Sequence, residues 1–273
     1  LDSTGNLYAT GLISLTSKGD LTQAEQTTLS AGGNVFLTST DGAMAVGGDI
    51  SSSSGSITLQ SAEYMQTQGK LAAADGNVAL TSTDGAMTIY GDVSSSRSDG
   101  SSSGGDITLQ SKGNMQTKSK LDAANDVEIT STAGDVSIDG DVSTGTRVPG
   151  EMDVEKAEQE GYANSLLVHA GGSIREAAGV SIATPVVSTY SGKGVSMESE
   201  KNNFAVFLAD ALPGSEAIDG SVKASTNYDR EQYADFTVGI GADVKGDAVF
   251  ANLNPSGDLG ILILHPTDEN KEI

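Results

Sequence analysis

The chain has 273 residues, 34 of them Gly, with no Cys or Trp and only 4% aromatic residues. Its 15 Lys and Arg against 37 Asp and Glu leave a formal charge of −22, which argues against binding nucleic acid phosphates or an anionic lipid surface. No apolar run approaches the ~20 residues of a membrane span, and a core so poor in large rings must be filled by many small aliphatic layers.

The opening "LDSTGNLYAT" lacks an initiator Met and a signal-peptide pattern, which points to a piece of a longer chain. From Ile13 onward one five-residue pattern recurs, as "ISLTS", "VFLTS", "ITLQS", "VALTS", "ITLQS" and "VEITS". Its first members are Ile13, Val35, Ile57, Val78, Ile107 and Val127, spaced by 22, 22, 21, 29 and 20 residues. Longer phrases repeat over two units. "GNVFLTSTDGAM" (Gly33 to Met44) returns 43 residues later as "GNVALTSTDGAM", and "ITLQS" opens a second repeated phrase at Ile57 and Ile107.

Alternation over four to six residues reads as half-buried strand, and the intervening "DG", "GG" and "GD" read as turns. Strands this short cannot bury a face alone, but stacked coil on coil they can. The spacing therefore predicts an all-β, right-handed parallel β-helix (solenoid) with coils of about 21 residues and loop insertions. Val35, Ile57, Val78, Ile107 and Val127 should form one interior column, and Leu15, Leu37, Leu59, Leu80, Leu109 and Ile129 a second. Phe36 and Ala79, the only difference between the duplicated phrases, fall on outward positions. The file Ser17, Ser39, Ser61, Ser82, Ser111 and Ser131 reads as a corner where hydroxyls bond neighbouring backbone; the rival is a line of hydroxyls offered to a ligand.

Residues 1–143 are thus the regular repeats. They are broken by the linker-like "SSSRSDGSSSGG" at Ser94 to Gly105. Residues 144–165 form an acidic insertion of helix-forming composition, expected to protrude as a short helix or ordered loop. It offers Arg147, Glu151 and Asp153 as possible partner contacts. Residues 166–273 keep the alternation in "FAVFLA", "FTVGIGADV", "AVFANL" and "GILIL", and read as irregular coils of the same rod, with a separate β-rich domain as the alternative. Within them "STNYDREQYADF" gathers Tyr228, Asp229, Arg230, Tyr233 and Asp235, which could stack on a sugar and bond its hydroxyls, or close the core.

At "GDITLQS", "GNVALTSTDG" and "LLVHAGGSIREAAG" the chain resembles the filamentous haemagglutinin-like adhesins, large secreted proteins of Gram-negative bacteria, many exported by two-partner secretion. The resemblance implies a structural or adhesive stalk segment of a secreted or surface-anchored protein. Such a segment would serve attachment, biofilm cohesion or display of a distal tip, with a host or bacterial surface glycan or protein as partner. The secretion module of that family carries an Asn-Pro-Asn-Gly motif; the nearest match, "NLNPSG" at Asn252, departs from it and suggests an interior segment, monomeric within a longer chain.

A polysaccharide lyase or hydrolase on the same rod is the alternative, with Arg147 and Arg175 as candidate basic groups, although no paired acids can be placed for either from spacing. His169 and His265 are well separated, so neither zinc nor a Ser-His relay is expected. The calcium-binding nonapeptide is missing, and Asp41, Asp84 and Asp135 should shape turns. No catalytic residue, cofactor or metal is predicted.

Overall fold

The computed structural model describes residues 1–96, 105–145, 164–215, 217–227, 236–254 and 259–263. It is an all-β parallel solenoid of about 10 turns, with about 22 residues per turn and no helix among the described residues. Each regular coil contributes three strands. The first complete coil passes from Ile13–Ser17 to Leu21–Gln23 and Thr28–Ala31, then re-enters beside its own start at Val35–Ser39. Repetition stacks these into three parallel sheets, here the broad face (11 five- or six-residue strands), the methionine face (11 strands) and the third face (8 strands).

Register follows the repeats. Ile13 pairs with Val35, Val35 with Ile57, Ile57 with Val78, Val78 with Ile107 and Ile107 with Val127. All six are buried, as are Leu37, Leu59, Leu80, Leu109 and Ile129 in the neighbouring column. Phe36 faces outward with 36% of its surface exposed, and its register line continues through Thr58 to Ala79. On the methionine face Leu21, Met44, Met65, Met87, Met115 and Val136 form a third interior file. A period-2 alternation with one face in the core fixes such a register, because a one-residue slip would turn every aliphatic side chain to water.

From Ser39 onward the serine file is a buried corner, while Ser17 in the first coil is half-buried. Ser39 Oγ donates to Gly19 O (2.8 Å), Ser61 Oγ to Glu63 O (2.8 Å), and Ser111 and Ser131 Oγ both to Gly113 O (2.7 Å). The hydroxyls satisfy backbone carbonyls as the chain turns from the broad to the methionine face, which leaves nothing to offer a ligand. Asx side chains tie coil to coil at all three corners. Asn34 Oδ1 accepts from the Ser56 amide (2.9 Å), Asp135 Oδ1 from Ser173 (2.7 Å) and Asp49 Oδ1 from Lys70 (2.9 Å). Asp135 therefore shapes a turn as its sequence context predicts; Asp84 turns its carboxylate outward to Lys112 Nζ (2.8 Å). Glycine is required where corners touch, since a Cβ on Gly69 would overlap the Gly48 carbonyl oxygen and one on Gly91 that of Gly69.

The 43-residue repeat has its own structural expression. The second inward position of the methionine face runs Gln23, Val46, Thr67, Ile89, Thr117, Ile138 and Glu176, polar and aliphatic in alternate coils. On the third face Ala31, Ser52, Ala73, Ser95 and Ala123 alternate likewise. The polar members of the first file each keep one buried oxygen without a partner: Gln23 Oε1, Thr67 Oγ1, Thr117 Oγ1 and Glu176 Oε1.

Beyond Asn164 the cross-section changes while the stack continues. Val127 pairs with Leu166, so the broad face runs on through Ser165–Ala170, Val186–Ser191, Val206–Asp210, Phe236–Ile240 and Leu259–Ile263. The third face ends at Ile182–Ala183. Its last edge is closed by two asparagines: Asn202 Oδ1 accepts from the Ile182 amide (3.0 Å), and the Asn203 amide donates to Ile182 O (2.8 Å). These bonds replace the strand that would otherwise follow. A small two-stranded sheet, Ala217–Ile218 with Asp243–Val244, appears instead between broad and methionine strands. The aliphatic files give way to Phe204 and Phe207, both fully buried, with ring centroids 5.9 Å apart and Phe250 6.1 Å from Phe207.

Candidate functional site

A parallel solenoid offers two kinds of surface: uniform faces, whose outward residues repeat coil after coil, and corners where the chain can leave the rod. On the broad face the outward file is Thr16, Thr38, Gln60, Thr81, Gln110 and Thr130, followed by His169, Tyr190 and Asp210. The regular part of this file is polar, small and uncharged. His169 lies mid-strand, with its ring centroid 4.5 Å from that of Tyr190. Its Nε2 is buried without a partner, and burial pushes its pKa down, against a smaller upward pull from Glu128. This is a packed strand residue. Among the described residues no three His, Cys, Asp or Glu side chains gather to hold a metal ion.

The candidate contact residues Arg147, Glu151, Asp153, Tyr228, Asp229, Arg230, Tyr233 and Asp235 all lie outside the described residues, as does the helix expected within 144–165. What the structure does fix is where their segments are rooted. The stretches 97–104, 146–163, 228–235 and 255–258 each lead into a broad-face strand, beginning at Ile107, Ser165, Phe236 and Leu259 respectively. In each case the described chain resumes at the corner that precedes the broad face, although the first two stretches follow third-face strands (Val93–Ser95 and Val142–Ser143) and the last two follow methionine-face strands (Val222–Thr226 and Ala248–Asn252).

The roots are held by short-range bonds. Gly105, where the first excursion returns, donates from its amide to Asn77 Oδ1 (2.7 Å), and Ser95 Oγ donates to Gly105 O (2.5 Å). At the second, Asp126 Oδ1 accepts from the Ser165 amide (2.7 Å) and hydroxyl (3.1 Å), while Thr144 Oγ1 donates to Thr184 Oγ1 (2.7 Å). Asn164 Nδ2 reaches Ala124 O (3.4 Å) and would block any Cβ at Gly145, so departure and return points touch. Three coil steps separate the broad strand after 146–163 from that after 228–235. At ~4.8 Å per step, the two return points stand ~14 Å apart on the same edge.

Sequence reasoning locates the first three breaks but not the stretch 255–258 or the shared edge of return, although the signal is there: each interruption falls directly before a broad-face strand. Arg175, the other basic candidate, projects from the methionine face. It donates to Ser137 Oγ (3.0 Å), with Asp139 Oδ1 3.7 Å away one coil back. Asp139 is in turn engaged by Ser137 Oγ (2.7 Å) and Gln116 Nε2 (2.5 Å). This carboxylate one coil away is absent from the strict repeats, and it is saturated by its neighbours. Exposed Tyr64 and Tyr90, the latter with Lys118 Nζ 4.8 Å from its ring centroid, are surface aromatics that sequence reasoning passes over.

No family model, no curated protein and no solved structure matches the chain.

Proposed function

We propose that the chain is a stalk segment of a large secreted or surface-anchored bacterial adhesin of the filamentous haemagglutinin-like kind, and that it contacts a surface glycan or protein through the excursions on one edge. The observation that carries this reading is the common edge, just before the broad face, at which the described chain resumes after each of these segments. A rod whose early coils present uniform faces and whose irregular segments all rejoin it on one line can meet a surface along its length while every coil keeps its core. Loops on a rigid scaffold tolerate change and carry recognition. The charge of −22 keeps such a rod soluble and unassociated. Arg147, Glu151 and Asp153 from one excursion, and Tyr228, Asp229, Arg230, Tyr233 and Asp235 from another, are the proposed contacts.

The test is binding of the purified chain to a glycan array and to cultured cells. It is compared with a variant in which a short Gly-Ser link joins Gly145 to Asn164, and with Tyr228→Ala/Tyr233→Ala. Saturable binding by the parent, lost in at least one variant while circular dichroism stays unchanged, is the expected result. Undiminished binding by both variants would move the contact off this edge. Cleavage of a polysaccharide, abolished by Arg147→Ala, would replace adhesion with the enzymatic reading.

A further inference from the structure

The first complete coil departs from the repeat at a corner where no excursion lies. Leu21 and Leu29, interior residues of the methionine and third faces, are eight residues apart. Their counterparts in the next five coils are six apart: Met44 and Ile50, Met65 and Leu71, Met87 and Val93, Met115 and Leu121, Val136 and Val142. The corner 24–27 is thus two residues longer than those above it. Within it Gln26 has a φ of 59°, the only residue other than glycine in the left-handed region among the described residues. Such strain persists only where the surroundings over-determine it, and here they do. Thr27 Oγ1 donates to Ala24 O (2.7 Å), the Asp49 amide to Thr27 O (2.9 Å) and the Gly47 amide to Gln23 O (2.9 Å). The corner sits down on Gly47 and Gly48: a Cβ on the first would press on Gln23 O and Glu25 N, and one on the second would overlap Thr27 O.

Beside this corner the methionine face carries a pocket of about 200 Å³, whose lining includes Thr22, Glu25, Ala45, Gly47, Gln66 and Gln68. Three successive members of the outward file, Thr22, Ala45 and Gln66, explain its shape. The exposed Ala45 has nothing beyond Cβ, so a trough opens between its longer neighbours while Glu25 stands on the enlarged corner. The Tyr64 hydroxyl donates to Gln66 Oε1 (3.2 Å) and orients that amide.

We propose that this pocket binds a single hexose unit of an uncharged glycan. Two carboxamides, a hydroxyl and one carboxylate surround an alanine floor. A carboxamide both donates and accepts, as each sugar hydroxyl does, and a few polar groups converging over an apolar floor are what orients a small ligand. Other ligand chemistries fit less well. The strands Leu21–Gln23, Met44–Val46 and Met65–Thr67 are each paired on both sides, so an extended peptide finds no edge to join. An anion would meet Glu25, and a metal ion would find only that one carboxylate in the lining. The corner is held in place by its own bonds before any ligand arrives, which lowers the entropic cost of binding. The site lies at the corner after the methionine face, and none of its described lining residues belongs to an excursion. It therefore stands apart from the contacts proposed above.

The experiment titrates the whole ¹⁵N-labelled chain with methyl β-D-glucoside, methyl β-D-galactoside and methyl α-D-mannoside, with methyl β-D-glucuronide as the anionic control. It follows the side-chain amide signals of Gln66 and Gln68. Saturable shifts of both signals with at least one neutral glycoside are expected, and weaker binding of the glucuronide. Ala45→Leu fills the trough from an exposed position and should weaken binding about tenfold or more. Gln68→Ala removes one hydrogen-bonding group and should weaken it about fivefold. Gln26→Gly relieves the left-handed strain, so it should loosen the corner and weaken binding about two- to fivefold without lowering the melting temperature. No saturable shift with any of the three neutral glycosides, undiminished binding by Ala45→Leu, or a glucuronide bound as tightly as the best neutral glycoside would each overturn the proposal. If a variant fails to fold, the shifts in the parent decide alone. The readout is local to Gln66 and Gln68, so its failure is distinct from any loss of cell binding in the excursion variants.

Discussion

The coils up to Ser143 and those from Ser165 onward share one backbone spine but are filled by different means. In the first region most inward files repeat the same few aliphatic side chains in the same register and the others alternate with a two-coil period, so one pair of coils is a template for the next. In the second, the third face stops, two asparagines close its edge, and Phe204, Phe207 and Phe250 fill the space. Stability in a solenoid is approximately a sum of coil terms and nearest-neighbour interfaces. The regular region should therefore lose stability evenly under mutation, whereas the irregular region should depend on a few residues that nothing else replaces.

The strongest way to break that comparison is Phe207→Ala. It removes a fully buried ring that touches two others and should cost about 3–5 kcal/mol, with hydrogen exchange accelerating in 186–254 and not in 13–95. Uniform acceleration would make the two regions a single cooperative unit. A further loss of about 2–4 kcal/mol is expected from Asn202→Ala, because it strands the Ile182 amide and strips Glu176 Oε2 of one of its two donors. Chemical denaturation would measure it.

Glu176 supplies the pH dependence. Its carboxyl has an ordinary value of 4.5 and is raised to about 7 in the fold, so the folded chain holds a proton that the unfolded chain releases. Stability falls as pH rises between those values, by about 3 kcal/mol in total from this one group. The penalty is absent below 4.5 and complete above 7. Glu176→Gln should remove this part of the slope, leaving the variant more stable than the parent at pH 8 and comparable at pH 4. An identical slope in both proteins would contradict the burial of the ionised form.

Smaller effects sharpen the picture of the regular coils. Thr67→Val and Thr117→Val replace unpartnered buried hydroxyls by methyls of the same shape and should be neutral or stabilise by about 1 kcal/mol each. Phe36→Ala, on an outward position, should change stability by no more than about 0.5 kcal/mol. Leu37→Ala next to it on the inward side should cost about 2–5 kcal/mol.

Much of the regular region was legible because its motif repeats. A residue such as Ile57 can be placed inside the rod from spacing alone, since its partners Val35 and Val78 occupy the same place in identical phrases. The serine corner was legible for the same reason. What the repeat hides is the alternation it contains: Thr67 and Ile89 look like unrelated residues until the coils place one above the other. Glu176 was illegible because its file-mate Ile138 is separated from it by the acidic insertion, so no spacing argument aligns them. The end of the third face was hidden too. It rests on the side chain of Asn202 accepting one backbone amide, an interaction without periodicity. For the candidate contacts, composition marked the excursions as unusual, but their common edge emerges only from which strand each one feeds.

The central claim is that both regions form one stack, with aliphatic files continuing past the acidic insertion. The most direct measurement is a methyl–methyl NOE spectrum of the chain labelled at Ile, Leu and Val methyls. The account predicts cross-peaks linking Val35 to Ile57, Ile57 to Val78 and Ile107 to Val127, and an equally strong one from Val127 to Leu166, its register partner 39 residues away. Cross-peaks that run as far as Val127 and stop there, with Leu166 seeing only later residues, would contradict it and divide the chain into two separate folds.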